Sequence, residues 1–251
     1  MSISFAVAGK GGVGKTTICS LIIRSLIDKG KSPVLALDAD ANSNLNELLG
    51  VDVNKTVGAL REEFKANAQK LDAGVHKDEL VEMKVNESLI ESKNFDLLVM
   101  GRGEGPGCYC YANTLFRKYI DMLQNNYDYI IMDNEAGMEH ISRRTTQNID
   151  CLFIVSDSSP RGIEAAARIR DLAKELKLKI GEIFLIVNRI KGEIDKRTAD
   201  IIKLKGFEKY YELPEDNNIY EMDLSGNNVF DLPEGSLSLK KISSIILQFT
   251  V

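Results

Sequence analysis

The most constraining feature of this 251-residue chain is a glycine-rich run at residues 9–17, which reads GKGGVGKTT. Two glycines bracket four residues and are followed by Lys15 and Thr16, which is the spacing of a phosphate-binding loop. An apolar run precedes the loop at 3–8, and a segment with helical spacing follows it at 17–29. Strand, glycine loop and helix in this order can wrap backbone N–H groups around phosphate oxygens. The predicted nucleoside triphosphate site comprises Gly9, Lys10, Gly11, Gly12, Val13, Gly14, Lys15, Thr16 and Thr17.

The rest of the chain alternates between apolar runs and segments with helical spacing, which is typical of an α/β protein. The apolar runs lie at 33–37, 95–100, 127–132, 151–155 and 182–187. The helical segments lie at 113–124, 139–148, 161–176, 195–205 and 237–247. This order predicts a three-layer P-loop NTPase fold with a mostly parallel central sheet, formed as a single domain by residues 1–251. Residues 52–94 are charged and weakly periodic, and we expect peripheral helices or a mobile insertion there.

Charge and hydropathy exclude some kinds of partner. The chain has 32 Lys and Arg against 37 Asp and Glu, a formal net charge of −5, and no cationic block, so we expect no nucleic acid partner. No apolar run approaches the roughly 20 residues that span a bilayer, and the N-terminus has no leader-like pattern. We therefore expect a cytoplasmic protein without a membrane partner. The closing run at 239–247 has the pattern of a membrane anchor or a core helix, and its thin basic face favours core packing.

Three acids follow apolar runs that are predicted to be strands. Asp38 and Asp40 end the run at 35–40, and Asp133 ends the run at 129–133. Because the carboxyl ends of parallel strands meet at the edge where the phosphate loop lies, these acids can reach Mg²⁺ or the attacking water. The Thr16 hydroxyl is a further candidate ligand of Mg²⁺. Asp38 and Asp40 could instead cap the turn that follows them.

The base is predicted from residues after a later strand. Asn188 and Arg189 follow the apolar run at 182–187, and an Asn amide there can donate to N7 of a purine and accept from its exocyclic amine. GTPases of related topology place an Asp three residues after this Asn. This chain has Lys191 at that position, and a lysine cannot accept the hydrogen bonds of guanine. ATP is therefore favoured over GTP.

A second glycine-rich segment leads into two thiols. Residues 101–107 contain four glycines and a proline, and Cys108-Tyr109-Cys110 follows them. Two thiolates can converge on one ion but fill only half of a tetrahedral site. A two-fold dimer would bring Cys108 and Cys110 of both chains to one axis and supply four thiolates for Ni²⁺ or Zn²⁺. Two buried cysteines or a redox pair are the alternatives, whereas Cys19 and Cys151 have the pattern of core residues.

The phosphate loop also contains a second lysine, Lys10, five positions before Lys15. In this the chain resembles the deviant Walker A ATPases, which include the MinD and ParA partitioning proteins and the nitrogenase iron protein. The resemblance implies that Lys10 reaches across a two-fold axis to the phosphates bound by the partner subunit. Lys10 and Lys15 are then both catalytic, one in trans and one in cis.

The same resemblance assigns roles to the acids and to a segment near the base. It implies that Asp40 orients the attacking water and that Asp38 lies on the metal side of the site. Asp133 matches a Walker B acid, and the residues after it match a switch segment that responds to hydrolysis. Pro214 and Asp216 match the segment whose backbone wraps around adenine.

Within this class, the run at 100–110, together with residues 133–140, resembles the CooC-type nickel-insertion ATPases, which serve carbon monoxide dehydrogenase and acetyl-CoA synthase. The resemblance implies a homodimer, formed on ATP or metal binding, that couples ATP binding and hydrolysis to nickel insertion. Its expected cofactors are ATP, Mg²⁺ and Ni²⁺ or Zn²⁺, and its expected client is an apo carbon monoxide dehydrogenase or acetyl-CoA synthase. The alternatives are an iron–sulfur electron-transfer ATPase and a MinD/ParA-like positioning ATPase.

Overall fold

The computed structural model describes residues 2–40, 44–59, 86–101, 120, 122–136 and 148–250. These residues contain one sheet of eight strands and helices on both of its faces. The strands are β1 (Ile3–Gly9), β2 (Val34–Asp38), β3 (Leu89–Glu91), β4 (Phe95–Val99), β5 (Tyr129–Asp133), β6 (Asn148–Ser156), β7 (Lys179–Ile190) and β8 (Tyr210–Pro214). The α-helices are α1 (Lys15–Asp28), α2 (Leu45–Leu49), α3 (Pro160–Glu175), α4 (Lys196–Leu204), α5 (Asn217–Leu224) and α6 (Leu237–Ile246). Short 3-10 helices lie at Gln124–Asn126 and Val229–Asp231.

The strand order brings the ends of three strands together. The order is β3-β4-β2-β5-β1-β6-β7-β8, and among the described strands only β3 and β4 pair antiparallel. Asp38 at the end of β2 pairs in register with Asp133 at the end of β5. On the other side of β5, Val7 of β1 pairs with Asp133, two residues before the phosphate loop begins at Gly9. The parallel register therefore sets two carboxylates beside the loop.

The sheet separates two apolar cores. Successive residues of a strand point to opposite faces, so Phe5 and Val7 of β1 belong to one core and Ala6 and Ala8 belong to the other. The first core contains the buried faces of α1, α2 and α6, and the second contains those of α3 and α4. The predicted three-layer α/β architecture with a mostly parallel sheet is confirmed.

Side-chain caps mark the starts of four helices. The capping residues accept a hydrogen bond from the first turn of α3, α4, α5 and α6, and they are Ser159, Asp195, Asp216 and Ser236. α1 begins after Gly14, where no described side chain caps the helix. The first N–H groups of α1 are therefore available to a ligand.

The closing helix α6 packs into the core. Leu239, Ile242, Ile245 and Ile246 are buried in the same core as α1. The interpretation as a core helix thus describes this segment better than the interpretation as a membrane anchor. No helix within the described parts of the chain combines the length and the apolar character needed to span a membrane.

The structure departs from the sequence expectations in four places. Residues 89–91 form β3, an antiparallel edge strand, so the expectation of helix or mobile insertion over 52–94 was wrong for them. Three residues are too few to show a strand period. The short helices α2 and α5 were not predicted. Asn148 starts β6 although the helix predicted at 139–148 included it, and the rest of that segment and most of 113–124 lie outside the described residues.

Candidate nucleotide site

The glycines of the predicted phosphate loop let it turn tightly against the sheet. Gly12 and Gly14 have φ angles of 79° and 92°, a left-handed conformation that L side chains rarely adopt. A Cβ atom at Gly9 would lie 2.5 Å from the carbonyl oxygen of Val155 in β6. The loop then enters α1, whose uncapped N-terminus carries partial positive charge. This geometry fits a bound phosphate chain.

The two lysines of the loop lie in different surroundings. Lys15 is only 8% exposed, and its Nζ lies 3.5 Å from the carbonyl oxygen of Lys10, within the curve of the loop. Its ammonium can therefore neutralise phosphates held by the backbone. Lys10 itself is exposed to solvent, so its side chain is accessible from outside the subunit.

Asp38 and Asp133 form a buried pair of carboxylates beside the loop. Asp38 accepts hydrogen bonds from the backbone N–H groups of Asp40 at 3.0 Å and Leu45 at 3.1 Å. Asp133 accepts a hydrogen bond from the Thr16 hydroxyl. Its Oδ1 atom is buried and has no hydrogen-bond partner among the described residues. One oxygen of Asp133 is therefore left for a ligand.

Burial makes this pair costly to ionise. Burial raises the pKa of Asp38 to about 7, and the neighbouring charge of Asp133 adds to the effect. Burial also raises the pKa of Asp133 to about 6, although the Thr16 hydrogen bond and the Lys15 charge oppose it. A divalent cation beside both carboxylates would favour their ionised forms. The uncompensated Asp133 Oδ1 and the Thr16 hydroxyl are oxygen ligands, which Mg²⁺ prefers, so the residues fit Mg²⁺.

Asp40 and Asn134 border the carboxylate pair. The charge of Asp40 raises the pKa of both Asp38 and Asp133, which places its carboxylate near them. Asn134 is buried, and its backbone N and its Nδ2 donate to the Val7 carbonyl oxygen at 3.2 Å and 2.9 Å. Asn134 therefore fixes the chain as it leaves β5. Sequence reasoning missed this role, although a polar residue directly after a strand-ending acid was a usable signal.

A cavity of about 360 Å³ opens beside the loop on the side of β7. Its lining is Gly14, Thr17, Ile18, Leu21, Asn188, Arg189, Leu213, Pro214, Glu215, Asp216, Ile219, Tyr220, Asp223 and Ser238. The lining combines apolar side chains with polar ones, a mixture that can hold and orient a planar base. Because the cavity reaches Gly14 and Thr17, a base in it would be continuous with phosphates in the loop.

The carboxylate of Asp216 is engaged within the protein. Its Oδ1 accepts from the backbone N of Asn218 at 3.0 Å, and its Oδ2 accepts from Ser236 Oγ at 2.7 Å and Ser238 N at 3.0 Å. Burial opposes ionisation of Asp216, but the hydrogen bonds from Ser238, Ser236 and Asn218 outweigh it and lower the pKa. Asp216 thus shapes the cavity wall with its side chain. Sequence reasoning missed Ser236 and Ser238, which carried no motif.

Asn188 and Arg189 both contact the phosphate loop. Asn188 Nδ2 donates to the carbonyl oxygen of Val13 at 2.8 Å, and Asn188 Oδ1 accepts from the backbone N of Arg189 at 2.9 Å. Arg189 Nη1 donates to the carbonyl oxygen of Gly12 at 3.2 Å. The donors Asn188 Nδ2 and Arg189 Nη1 therefore have partners in the loop, whereas Asn188 Oδ1 is bonded to the backbone of Arg189.

Comparison with known proteins identifies the family. A family model described as an AAA domain matches residues 2–186. The chain belongs to this AAA-domain family. This AAA-domain ATPase binds and hydrolyses ATP with Mg²⁺.

The sequences of individual relatives align with nearly the whole length of this AAA-domain ATPase. An uncharacterised ATP-binding protein of Methanocaldococcus jannaschii is 44% identical over 96% of this chain and 95% of the relative. The carbon monoxide dehydrogenase accessory protein CooC of Rhodospirillum rubrum is 31% identical over 92% of this chain and 90% of CooC. The crystal structure of a ParA family ATPase from Chlorobium tepidum superposes with a TM-score of 0.76 and 98% coverage of both chains at 23% identity, so it shares the fold.

The thiols of this AAA-domain ATPase fall into two groups. Cys108 and Cys110, the predicted Ni²⁺ or Zn²⁺ ligands, lie outside the described residues. Cys19 and Cys151 are buried and unpaired, and burial raises the pKa of both thiols. A buried neutral thiol suits a core residue better than a metal ligand. The described residues contain no group of three or more His, Cys, Asp or Glu side chains that could hold a metal ion.

Proposed function

We propose that this ATPase delivers nickel to an apo carbon monoxide dehydrogenase or acetyl-CoA synthase. The observation that carries the proposal is the 31% identity with CooC over almost the full length of both proteins, in a chain that has Cys-x-Cys at 108–110. Nickel is the cargo, and ATP hydrolysis drives its release. The protein acts in the cytoplasm as a single domain per subunit, without a nucleic acid or membrane partner.

The thiol pair explains why the proposal includes a homodimer. Cys108 and Cys110 supply two thiolates per chain, and a tetrahedral Ni²⁺ or Zn²⁺ site takes four ligands. A two-fold axis between two copies supplies the missing pair. The exposed Lys10 on the phosphate loop supports the same assembly, because an exposed cation at this position can reach a phosphate bound by a second subunit.

The start of the thiol segment is connected to the nucleotide site. Met100 N donates to the carbonyl oxygen of Asp38 at 2.8 Å, so the end of β4 is bonded to a residue of the carboxylate pair. Gly101 follows with a φ of 64°, and a Cβ atom there would lie 2.5 Å from the Thr56 side chain. Cys108 and Cys110 follow Gly101 by seven and nine positions in the sequence. This connection supports coupling between nucleotide state and metal affinity.

Each described residue of the nucleotide site has its own role in the proposed hydrolysis. Thr16, Asp38 and Asp133 would hold Mg²⁺, which would neutralise charge on the transferred phosphoryl group. Lys15 and the N–H groups of the loop stabilise the β- and γ-phosphates. Asp40 orients the attacking water, in line with its place beside the carboxylate pair. Lys10 acts on the nucleotide of the partner subunit.

Metal analysis combined with molecular mass tests the proposal. Protein purified without oxygen should bind one Ni²⁺ per dimer, and a non-hydrolysable ATP analogue should increase both dimer fraction and nickel affinity. Cys108→Ser and Cys110→Ser should each lose stoichiometric metal, because each deletes two of four ligands in a symmetric dimer. Cys151→Ala, which removes a thiol from the core, is the matched control and should keep its metal.

Other outcomes would contradict the proposal. One metal ion per monomer, or tight binding that survives both serine substitutions, would exclude a shared site. A brown protein containing iron and sulfide would favour the electron-transfer alternative. The delivery role would be excluded if this protein bound nickel but the nickel content of the apo client did not rise in the presence of ATP.

A further inference from the structure

We propose that one face of α5 is a docking surface for a cationic and partly apolar segment of a partner protein. This face carries two large side chains that no described element covers, since Tyr220 is 65% exposed and Leu224 is 67% exposed. Residues four positions apart lie on the same side of a helix, so the two side chains are neighbours. The proposal is separate from nickel delivery, because no thiol and no metal takes part in it.

A cavity of about 570 Å³ lies beside this face, between α5 and α2. Glu47 and Asp52 line it from the side of α2, and Asp223 lines it from the side of α5. Asp223 comes three residues after Tyr220 and therefore belongs to the same face of α5. Tyr220, Leu224 and the three acids thus form one surface of apolar side chains and carboxylates, which we call the α5 surface.

The charge of the α5 surface is one-sided. Residues 210–239, which include α5, contain seven Asp and Glu and no Lys or Arg. Residues 44–54, which include α2, contain two acids and no base. Within the part of the chain that the structure describes, Glu47, Asp52 and Asp223 form no ion pair. A cationic partner would supply the charge that the described residues do not place there.

Arg189 lies close enough to act on one of these acids but does not compensate it. Partial burial raises the pKa of the Asp223 carboxyl group, and the opposing charge of Arg189 is the smaller effect. The Arg189 guanidinium also donates to the carbonyl oxygen of Gly12 in the phosphate loop. A cation from a partner would favour the ionised form of Asp223.

The α5 surface is held in place by contacts within the subunit. A Cβ atom at Gly50, directly after α2, would lie 2.7 Å from Asn228 Nδ2, so α2 packs closely on the segment that follows α5. Arg24 of α1 donates to the carbonyl oxygens of Val229 and Leu232 at 2.5 Å and 2.7 Å, which fixes the same segment from below. A preformed surface loses little conformational entropy when a partner binds.

Charge and apolar character together select the occupant. Nucleic acids and anionic membranes are negatively charged, so the carboxylates would repel them. In a two-fold dimer formed through this surface, one acidic patch would face another. A polyamine would match the charge but leave Tyr220 and Leu224 exposed to water. A protein segment that carries both cations and apolar side chains meets both requirements.

A synthetic peptide provides the test. A short fluorescent peptide of leucine and lysine in helical spacing would be titrated with the intact chain, and its anisotropy gives Kd. Replacing the three acids together, Glu47→Gln, Asp52→Asn and Asp223→Asn, should raise Kd about tenfold, because each exposed ion pair contributes a few-fold at most. Leu224→Ser should raise Kd roughly fivefold through the loss of apolar contact. A peptide with glutamate in place of lysine should not bind.

Matched controls lie on the opposite side of the sheet, on or next to α3 and α4. Glu175→Gln, Asp200→Asn and Glu208→Gln together remove the same net charge from exposed positions. Leu204→Ser removes a leucine that is 82% exposed on α4. Both controls should keep the wild-type Kd. Circular dichroism would show that each variant is folded, and Asp52→Asn alone, the mildest change, should raise Kd about twofold.

Several results would overturn the docking surface. Equal Kd values for the three-acid variant and its control on the opposite side would show that the peptide responds only to net charge. Wild-type Kd in Leu224→Ser, or spermine binding as tightly as the peptide, would exclude a protein segment as the occupant. Self-association that the three-acid variant abolishes would assign the surface to a second copy. None of these results concerns metal stoichiometry, so the nickel proposal is tested separately.

Discussion

Replacement of Asp216 tests how the base side of the nucleotide site is built. The Asp216 carboxylate caps α5 through the backbone N of Asn218 and also binds Ser236 Oγ and Ser238 N at the start of α6. Ser238 Oγ in turn donates to the carbonyl oxygen of Pro214 at 3.1 Å, in the segment that lines the cavity. Asp216→Ala should therefore weaken two helix starts and the cavity wall together.

The magnitude follows from the groups that lose a partner. Loss of one N-cap typically costs about 1 kcal/mol. The Ser238 N–H and the Ser236 hydroxyl are buried, and each unpaired buried group costs roughly 1 kcal/mol or more. Asp216→Ala should thus lower the free energy of unfolding by about 3 kcal/mol. For a chain of this size, that corresponds to a fall in Tm of roughly 6–12 °C.

The pH dependence has a definite sign. Because the pKa of Asp216 is lowered in the folded state, its ionised form stabilises the fold above the unfolded-state pKa of about 4. This stabilisation is lost as the pH falls through the folded-state pKa. The stability difference between wild type and Asp216→Ala should therefore be constant from about pH 6 to 8 and shrink below about pH 4.

Thermal and urea unfolding, with ATP binding as a second readout, check the reasoning. Asp195→Ala is the matched control, because Asp195 caps α4 through Thr198 N at 2.8 Å on the exposed surface. It should lower the free energy of unfolding less than Asp216→Ala does and leave ATP affinity unchanged. Equal losses of stability in the two variants would refute the additional role of Asp216. Unchanged ATP affinity in Asp216→Ala would refute its role in shaping the cavity.

The nucleotide site yields four further predictions. Lys15→Ala should lower ATP turnover at least about 100-fold in a phosphate-release assay, because a buried cation beside the phosphates is lost. Lys10→Ala should keep ATP affinity in the monomer but abolish ATP-dependent dimerisation, and an unchanged dimer fraction in sedimentation would contradict the trans contact. Gly14→Ala should weaken ATP binding measured by calorimetry, because the φ of 92° is unfavourable for alanine and the new Cβ would meet Asn188 at 2.6 Å. Asp38→Asn should stabilise the nucleotide-free protein at pH 8, and this gain in the free energy of unfolding should shrink toward pH 5. The reason is that the ionised Asp38 carboxylate destabilises the fold increasingly as the pH rises from its unfolded-state pKa of about 4 to its folded-state pKa of about 7. Urea unfolding at both pH values checks this, and parallel stability profiles would contradict it.

The sequence by itself determined the phosphate loop and the fold class. Glycines at 9, 12 and 14 and lysine at 15 act through local backbone geometry, so their spacing is enough to predict a loop between a strand and a helix. The alternation of apolar runs with helical segments predicted the layered sheet in the same way. Asp38 and Asp133 could be placed at strand ends, because an apolar run that ends at an acidic residue can be recognised from the sequence alone.

Only the tertiary structure decided which of these residues meet. The parallel register of β2 and β5 puts Asp38 opposite Asp133, and burial of the pair raises both pKa values. The bond between Asn188 and Val13 spans 175 positions, and it depends on a left-handed residue next to Asn188 that no local pattern reveals. The link from Asp216 to Ser236 spans 20 positions and likewise has no sequence signature. Local propensity acts over a few residues, whereas these contacts arise from how the sheet aligns distant strand ends, which is why they required the folded chain.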